Sequence, residues 1–337
     1  MRVFMIGGTG LLGSEAAGEL IRRGHTVVSM ALPPLPIGAP LPPEMEIEFG
    51  NYMELPDEEL KKRLQGCEGL VFAAGVDERV EGPAPIYEFF KKFNITPLER
   101  LLRLAKQSGV RHAVLCGSYF SYFDKLWPEL ELTKWHPYIR SRRDQETIAL
   151  SFADETFGVS ILELPYIFGA QPGRKPVWAF LIEKIRAMKR VTLYPRGGST
   201  MVTVKQAGQA IAGALERGKG GTCYPIGYFN LTWVELLTIF HKYMGSPNKR
   251  IVTIPDWVFK LAARSIRRKQ LAGGVEGGLH AVKYAALQCK NLFIDKKLGC
   301  DPLGVTRDDL DAAIGASVRL SLDVLDKKTQ TIGMKGE

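Results

Sequence analysis

Residues 1–25 read MRVFMIGGTGLLGSEAAGELIRRGH and are the most informative part of the chain. The apolar run Val3–Ile6 predicts a buried strand, and the apolar residues of Leu11–Arg23 recur at helical spacing. The glycines that follow the strand form a GxxGxxG pattern, namely Gly7, Gly10 and Gly13. Glycines at such positions permit a sharp turn, close approach of a diphosphate to the backbone, and close packing of helix on strand. The order predicts a dinucleotide-binding βα unit with the diphosphate at the helix N-terminus.

The length and composition are those of a globular protein. The 337 residues suit two domains or one large α/β unit, and hydrophobic and charged residues make up 45% and 24% of them. No apolar run is long enough to span a membrane. The opening apolar stretch is interrupted by glycines and by Glu15, unlike the core of a signal peptide. A cytoplasmic location is expected.

The chain is basic, with a formal net charge of +9 and a pI near 9.2. This charge favours small anionic ligands such as nucleotides or acyl thioesters, and no nucleic-acid partner is expected. Part of it is local, because five basic residues follow or overlap the apolar stretch Trp257–Ala263. They are Lys260, Arg264, Arg267, Arg268 and Lys269. The pattern indicates a basic amphipathic helix, and a solvated helix face is favoured over contact with a membrane surface.

The cysteines give no sign of a metal site or a disulfide framework. Five cysteines are scattered along the chain, and none belongs to a C-x-x-C pair. No metal is expected, and most of these side chains are predicted to be small buried hydrophobes.

The first half of the chain alternates predicted strands and helices. Further strands are predicted at Thr26–Met30, Glu46–Phe49, Leu70–Ala74, Ala113–Cys116 and Val159–Leu162, with helices at Asp57–Gln65, Pro97–Gln107 and about Tyr138–Phe157. Such alternation predicts an α/β fold with a doubly wound parallel sheet (Rossmann), covered on both faces. Right-handed crossovers then place the ligand at the carboxyl ends of the strands.

The regular alternation of predicted strands and helices ends after Gly169, which indicates a second structural unit. We predict a dinucleotide-binding Rossmann domain at residues 1–170, to which residues 197–228 return. Residues 171–325 are predicted to form a smaller, mainly helical C-terminal substrate-binding domain, called the cap below, followed by a flexible tail at 326–337. Predicted cap helices include Trp178–Lys189 and Leu231–Met244, the latter with a capping box of Thr232 and Glu235. Gly273–Gly278 follows no predicted strand and is expected to be a flexible loop.

Several motifs occur in a familiar order along the first two thirds of the chain. They are GGTGLLG, VFAAG, Asn94 in FNITPLERLL, GVRHAVLCGS ending in Ser118, Tyr138 in HPYIRSRRDQE, and LPYIFG. In this order they resemble the extended short-chain dehydrogenase/reductase superfamily, in its NAD-dependent epimerase/dehydratase branch. The C-terminal third is similar only in its helical character.

The resemblance implies a catalytic serine, a tyrosine, and a lysine four residues after the tyrosine. Ser118 and Tyr138 occupy the first two positions, but Arg142 stands where the family has lysine. A phenol with a pKa of about 10 exchanges protons poorly near neutrality, and a neighbouring cation lowers that pKa. The serine hydroxyl holds the substrate oxygen where charge develops. Arginine keeps the positive charge but does not release a proton, so charge activation is expected to survive without proton relay.

The resemblance also implies a set of cofactor contacts. They are Gly7, Thr9, Gly10, Leu11, Leu12 and Gly13 in the glycine turn, Asn51 and Tyr52 near adenine, Ala73, Ala74 and Gly75 near ribose, Pro165, Tyr166 and Ile167 near nicotinamide, and Asn94, Tyr138 and Arg142. Asn94 either bonds backbone at the site or caps the following helix. The strand at Thr26–Met30 ends without the acidic residue that would bond an NAD ribose, so NADP is slightly favoured over NAD.

The substrate class is only partly indicated. Sugar-nucleotide members of the family usually carry arginine and asparagine around the LPYIFG position, where Glu163 and Pro165 stand here. The aromatic residues after Ser118 either line an apolar pocket or pack against the cap. They are Tyr119, Phe120, Tyr122, Phe123 and Trp127.

Together these features predict an NAD(P)-dependent oxidoreductase that transfers a hydride between nicotinamide and a small carbonyl/alcohol substrate, with an apolar or aromatic compound as one candidate. One alternative is an epimerase or dehydratase that oxidises its substrate transiently. Another is a catalytically weakened, nucleotide-sensing regulatory protein. Relatives dimerise through two helices, here around Leu98–Gln107 and Arg140–Ala153, so a homodimer is a further expectation.

Overall fold

The structure is a computed structural model that describes residues 1–332. In chain order its strands are β1 (Arg2–Ile6), β2 (Thr26–Ala31), β3 (Glu46–Phe49), β4 (Gly69–Phe72), β5 (Glu81–Pro83), β6 (His112–Cys116), β7 (Gly158–Glu163), β8 (Tyr166–Phe168), β9 (Val191–Pro195), β10 (Gly198–Thr203), β11 (Thr222–Pro225), β12 (Phe229–Thr232), β13 (Arg250–Ile254), β14 (Val275–Gly277) and β15 (Asn291–Leu292).

The α-helices are α1 (Leu11–Arg22), α2 (Asp57–Leu64), α3 (Tyr87–Phe90), α4 (Thr96–Gln107), α5 (Tyr119–Leu126), α6 (Leu132–Trp135), α7 (Pro137–Ser151), α8 (Ala179–Ala187), α9 (Val204–Arg217), α10 (Trp233–Tyr243), α11 (Asp256–Ala272), α12 (Ala281–Gln288) and α13 (Leu310–Leu325). A π-helical turn at Lys91–Ile95 joins α3 to α4. Within residues 1–332, no helix has both the length and the apolar character needed to cross a bilayer.

A seven-stranded parallel sheet organises the first domain and confirms the predicted fold class. Its strand order is β11-β7-β6-β4-β1-β2-β3, and the neighbours run parallel throughout. The chain winds outward from β1 in both directions, so the order reverses between β1 and β4. In such sheets a ligand binds at that reversal, outside the carboxyl ends of the strands. The loops after β1 and β4 therefore border the expected ligand site.

Apolar residues cover both faces of this sheet, as nearly continuous apolar strands require. On one face α1 and α9 pack around Val3, Met5 and Val71. On the other face α2, α4 and α7 pack around Phe4 and Phe72.

The cap has its own core, in which α8, α10 and α13 surround Phe168 and Trp178. A small mixed sheet, in which β10 contacts β8, β12 and β15, lies beside these helices. The predicted capping box of Thr232 and Glu235 is confirmed at the start of α10. Strand β10 pairs with β8, β12 and β15, whereas α9 packs on the first domain and β11 joins the main sheet. The predicted domain boundaries stay a prediction.

Two local predictions differ from the structure. Gly273–Gly278 is not a free loop, because β14 pairs antiparallel with β5 in a part of the chain nearly 200 residues earlier. The helix that begins with Pro137 ends at Ser151 rather than near Phe157. In the predicted tail, the Ile332 amide donates a hydrogen bond to the Gly173 carbonyl. Residues 333–337 of that tail lie outside the described residues.

Candidate active site

The glycine turn between β1 and α1 requires residues without a Cβ. Gly7 has a φ of +90°, and a Cβ there would lie 2.5 Å from the Ala73 carbonyl oxygen. A Cβ at Gly13 would collide with the Gly7 carbonyl. The N-cap of α1 is Gly10, and no side chain caps this end. The first amides of the helix and its positive end are therefore free to bind an anion, as a diphosphate requires.

Gln171, which the sequence did not single out, ties the cap to this turn. Its Nε2 donates to the Thr9 carbonyl at 3.2 Å and to the Ser14 Oγ at 3.0 Å. Two residues on, a Cβ at Gly173 would collide with the backbone of Ile37. The first loop of the cap and the proline-rich loop after β2 therefore meet beside the glycine turn.

The segment that follows β4 is held by Asn94 in the π-helical turn. The Asn94 Oδ1 accepts from the Val76 amide at 2.8 Å, and its Nδ2 donates to the Val76 carbonyl at 3.1 Å. No side chain caps the N-terminus of α4, so Asn94 bonds backbone and does not act as the helix cap. Gly75 has a φ of +134°, and a Cβ there would lie 2.7 Å from Asn94 Oδ1. Ala73–Gly75 thus forms a narrow, side-chain-poor ledge at the strand end.

Ser118, Tyr138 and Arg142 come together in the interior, with 5%, 4% and 7% of their surfaces exposed. Ser118 follows β6 and is the N-cap of α5. Tyr138 lies in the first turn of α7, where its amide donates to the carbonyl of Gly278 at 2.9 Å. Arg142 is one helical turn further, so its guanidinium lies over the Tyr138 ring, 5.1 Å from the centroid.

Arg142 is fixed by hydrogen bonds but keeps one donor free. Nη1 donates to the Gln145 Oε1 at 2.9 Å and Nη2 to the Val76 carbonyl at 3.4 Å. Gln145 in turn donates to the Asn94 carbonyl at 2.7 Å. The Arg142 Nε is buried and makes no hydrogen bond among the described residues. A buried donor without a partner is costly, so this atom suits a ligand such as a cofactor ribose.

The Tyr138 hydroxyl responds to several opposing influences. Burial raises the pKa of Tyr138 above its ordinary value, and the Arg142 guanidinium lowers it. The Glu78 carboxylate raises it again, while hydrogen bonding from Arg142 and Ser118 lowers it. The net direction is upward, so Tyr138 is a protonated phenol at neutral pH in the free protein.

Glu78 is a functional candidate that sequence reasoning missed. It is half-buried in the loop after β4, and burial raises the pKa of its carboxyl. Its charge acts on the hydroxyls of four tyrosines, Tyr119, Tyr138, Tyr166 and Tyr284. The carboxyl group is therefore within electrostatic reach of Tyr138 and the phenols around it, and it is an acid beside an otherwise aromatic group of side chains.

The aromatic residues after Ser118 pack against Tyr138 and the cap, and a pocket lined by them stays a prediction. Phe120 lies edge-on to Tyr138, with ring centroids 6.4 Å apart, and edge-on to Tyr284 of the cap at 6.1 Å. The ring centroids of Tyr119 and Tyr166 are 6.0 Å apart, and the Tyr166 hydroxyl lies 3.3 Å from the Tyr284 hydroxyl. Phe123 instead stacks on the neighbouring tryptophan within the same segment. The beginning of α5 thus faces Tyr138 and the cap together.

The other predicted cofactor residues lie at two places. Pro165 is buried, Tyr166 joins the aromatic group, and the Ile167 carbonyl accepts a hydrogen bond from the Trp178 indole at 2.9 Å. Asn51 and Tyr52 follow β3 at the far edge of the sheet, and the Tyr52 ring packs edge-on against Phe72. They are separated from Tyr138, as the adenine end of a long cofactor would be.

A charged cluster is buried behind Ser118. The Lys125 Nζ lies 2.7 Å from a carboxylate oxygen of Glu163 and 3.5 Å from one of Glu146. The Arg143 Nη1 lies 2.8 Å from the same Glu146 oxygen. Burial raises the pKa of Glu163 to about 7, with the Glu146 charge adding to the rise and Lys125 opposing it. The side chain of Glu163 therefore points into the protein rather than toward a substrate.

The fold and site define the class of the protein. A doubly wound sheet, an uncapped glycine turn, and a serine, a tyrosine and a cation at the strand ends are the arrangement of an extended short-chain dehydrogenase/reductase. The sequence matches the NAD dependent epimerase/dehydratase family over residues 3–227, and the chain belongs to that family. The predicted family resemblance is confirmed. No group of three or more metal-ligating side chains occurs among residues 1–332.

Solved structures share this architecture over nearly the whole chain. The gox2253 structure has a TM-score of 0.75 at 21% identity, covering 98% of this chain and 99% of that one. PA4631, a nucleoside-diphosphate-sugar epimerase from Pseudomonas aeruginosa, has a TM-score of 0.69 at 18% identity, covering 96% and 98%. A UDP-glucuronic acid 4-epimerase from Bacillus cereus in complex with NAD has 0.66 at 14%, covering 100% and 99%. Such identities establish a shared fold. No curated protein matches the sequence.

Proposed function

We propose that the protein is an NAD(P)-dependent oxidoreductase that interconverts a small carbonyl compound and its alcohol. The observation that carries this proposal is that Ser118, Tyr138 and Arg142 come together in the interior, with the Arg142 guanidinium over the Tyr138 ring. The three lie at the carboxyl end of the sheet, beyond a glycine turn that leaves the α1 amides free. Membership of an NAD-dependent family supports the same chemistry.

Each residue has a distinct role in this proposal. The nicotinamide, when bound, supplies or accepts the hydride. Tyr138 gives a proton to the substrate oxygen during reduction, or removes it during oxidation. Ser118 donates a hydrogen bond to the same oxygen and stabilises developing charge. Arg142 favours the phenolate by its charge, and its free Nε is a donor for the cofactor ribose.

The cofactor phosphates are assigned to the uncapped start of α1, and its ribose to the ledge at Ala73–Gly75. The end of β2 reads Ser29, Met30 and Ala31 and offers no carboxylate to a ribose hydroxyl. The absence of a carboxylate supports NADP over NAD, because an acid there would repel a 2′-phosphate. The structures of relatives that contain NAD keep NAD as the alternative.

The walls of the site favour an apolar or aromatic substrate. Phe90 and Phe120 lie edge-on to Tyr138, and Tyr166 and Tyr284 close the side toward the cap. Such rings present large apolar surface with few fixed polar groups. Glu78 is the exception, and it suits a polar or basic group on one end of the substrate.

A transient oxidation, as in an epimerase or dehydratase, is the second candidate. The family name and the similar sugar-nucleotide epimerases favour it. The same Tyr138, Ser118 and Arg142 would act, but the hydride would return to the substrate. Such an enzyme shows product formation without net change in NAD(P)H absorbance, whereas the proposed oxidoreductase shows stoichiometric change.

The test is Tyr138→Phe, assayed for cofactor binding and for turnover across a panel of aromatic and alicyclic carbonyls. We expect NADP binding to stay within about threefold, while turnover falls by roughly 10²-fold or more, the usual contribution of a positioned acid or base. Tyr122→Phe, which removes a hydroxyl from the same aromatic segment outside the Tyr138 contacts, is the control. Unchanged turnover in Tyr138→Phe would refute the assignment. Tight cofactor binding by the unaltered protein without turnover of any carbonyl would instead indicate a nucleotide sensor.

A further inference from the structure

Helix α11 leaves large apolar side chains in solvent. Trp257, Leu261 and Leu271 are 69%, 55% and 62% exposed, and Ile266 is 49% exposed. Single exposed apolar residues are ordinary, but Trp257, Leu261 and Leu271 together form an uncovered surface. Trp257, Leu261 and Leu271 are separated by four and ten residues, so they lie on the same side of the helix.

The same surface is strongly basic. Arg264 and Arg268 lie between Leu261 and Leu271 in the sequence and, by helical spacing, on the same side of α11. Three further cations flank them. These are Lys260, Arg267 and Lys269. None of the five has an ion-pair partner among residues 1–332, although surface cations elsewhere on the protein commonly do. The only acid of α11, Asp256, is paired with Arg196 at 2.8 Å.

The opposite side of α11 is anchored to the protein. Ala263 and Gln270 are buried there, and the Gln270 Nε2 donates to the Glu81 Oε1 at 2.9 Å. The helix packs on α12 and β14. The exposed apolar and basic side is therefore presented outward by a fixed helix of 17 residues, and not by a loose segment.

We propose that α11 docks the protein on the surface of an anionic lipid bilayer. Trp257, Leu261 and Leu271 enter the interfacial region, and the five cations contact the lipid phosphates. Tryptophan is the residue that most favours this boundary, since its ring is apolar and its N–H is polar. The exposure of these apolar residues favours this proposal over a simply solvated face.

Two other occupants fit the surface less well. A second copy related by two-fold symmetry would bring Arg264 and Arg268 against their own counterparts, placing like charges together. A nucleic acid would use the cations but would leave Trp257, Leu261 and Leu271 without an apolar partner. A bilayer with anionic headgroups satisfies both the charge and the apolar surface.

The proposal also has a consequence for the reach of the active site. Tyr284 of α12 lies in the aromatic wall, and Gly278, which follows β14, bonds the backbone of Tyr138. Both elements support α11. A protein docked through α11 therefore holds its catalytic pocket within one layer of structure from the lipid surface.

The experiment is flotation of the full chain with lipid vesicles. One set is phosphatidylcholine alone, and the other contains about one third phosphatidylglycerol. We expect binding to the anionic vesicles at least tenfold stronger than to the neutral ones, and weaker binding as salt is raised, because screening reduces the charge contribution.

Two variants separate the apolar and the charge contributions. The first is Trp257→Ala with Leu261→Ala and Leu271→Ala, and the second is Arg264→Gln with Arg268→Gln. Each should weaken binding to anionic vesicles by about tenfold or more, since each cation near such a surface contributes appreciably. The matched control is Lys62→Gln with Lys297→Gln, which removes the same charge from exposed sites elsewhere and should bind as the unaltered protein does. Circular dichroism and the melting temperature check that every variant is folded.

Three results would overturn the proposal. The first is no binding to anionic vesicles at low salt. The second is full binding by the apolar variant, which would reduce the contact to unspecific adsorption. The third is equal loss in the matched control, which would place the effect in the net charge rather than in α11. Binding to a DNA duplex, with no binding to vesicles, would identify a nucleic acid as the partner instead.

Discussion

The proton of Tyr138 is controlled by two side chains of opposite charge. Arg142 lowers the pKa of this phenol and Glu78 raises it, on top of the larger effect of burial. A protonated phenol is the form that donates to a substrate oxygen, so under the proposed function the free protein is prepared for reduction. Oxidation needs the phenolate, which requires the positive charge of Arg142 nearby.

Arg142→Met should raise the pKa of Tyr138 further, because the cation that favours the phenolate is lost. We expect kcat/KM for oxidation to fall by roughly 10²-fold at neutral pH and its rise with pH to move to higher pH. Glu78→Gln removes the opposing charge and should move the same rise to lower pH. The measurement is the pH profile of kcat/KM for both variants.

Arg142→Lys is the control for charge in this series. It keeps the cation and should retain activity within about tenfold of the unaltered protein. A loss as large as that of Arg142→Met would mean that the two-sided bonding to Gln145 and Val76, and not the charge, is what the site needs.

At this scale the sequence predicted some residues and not others for identifiable reasons. Ser118 and Tyr138 were found because motif order fixes them relative to strands and helices. Gln145 is one helical turn from Arg142, and that spacing was an available signal for a bonded pair. Glu78 has the acidic neighbours Asp77 and Glu81, and nothing in the sequence tells which of the three faces the tyrosines. The roles assigned to all of these residues remain predictions.

At the scale of elements, the β1–turn–α1 unit makes the strictest demand on residue type. Gly7 needs both a positive φ and the absence of a Cβ, because the Ala73 carbonyl lies against it. Gly24 also has a positive φ, +84°, but no atom lies within 4 Å of the position a Cβ would take. Comparing substitutions at Gly7 and Gly24 therefore distinguishes the cost of backbone strain from the cost of steric collision.

Gly7→Ala should lower the free energy of unfolding by clearly more than Gly24→Ala. For Gly24→Ala we expect a loss of about 1 kcal/mol, the cost of a left-handed conformation alone. For Gly7→Ala we expect that loss plus the collision, together about 2 kcal/mol or more, and weakened NADP binding. Urea unfolding of both variants measures the difference. Equal losses would show that the Ala73 carbonyl yields without cost.

Elements were predicted where their signal is local and missed where it is not. The glycine turn, α1 and the capping box of α10 each depend on residues within a few positions of one another. Strand β14 forms only because β5, far earlier in the chain, lies beside it. Strand β11 has four residues and no alternating pattern, and its edge position beside β7 gave no sequence signal.

At the scale of the whole molecule, the buried carboxylates behind Ser118 make stability depend on pH. The pKa of Glu163 is raised to about 7 in the folded protein, against about 4.3 for a free glutamate. The folded state then binds more protons than the unfolded state between these values. Stability should therefore fall as the pH rises through that window and level off above it.

Glu163→Gln should flatten this dependence, because an amide resembles the protonated carboxyl and does not titrate. The free energy of unfolding, measured by urea from pH 5 to pH 8, is the readout. Glu129→Gln, at an exposed position, is the control and should keep the slope of the unaltered protein. An undiminished slope in Glu163→Gln would show that another group is responsible for the pH dependence.

The overall architecture was predictable because seven parallel strands with helices between them repeat one simple pattern. The cap was less so, since its small sheet gathers β8, β10, β12 and β15 from separate parts of the chain. A homodimer through α4 and α7 stays a prediction.

The bond from Gln171 to the glycine turn has a bearing on how quickly the protein can work. A dinucleotide seated at the start of α1 would lie beneath two loops, one bonded to Thr9 and the other resting on Gly173. Both loops would have to move before the nucleotide product dissociates. We therefore expect release of the nucleotide product, rather than the chemical step at its ring, to limit the turnover rate.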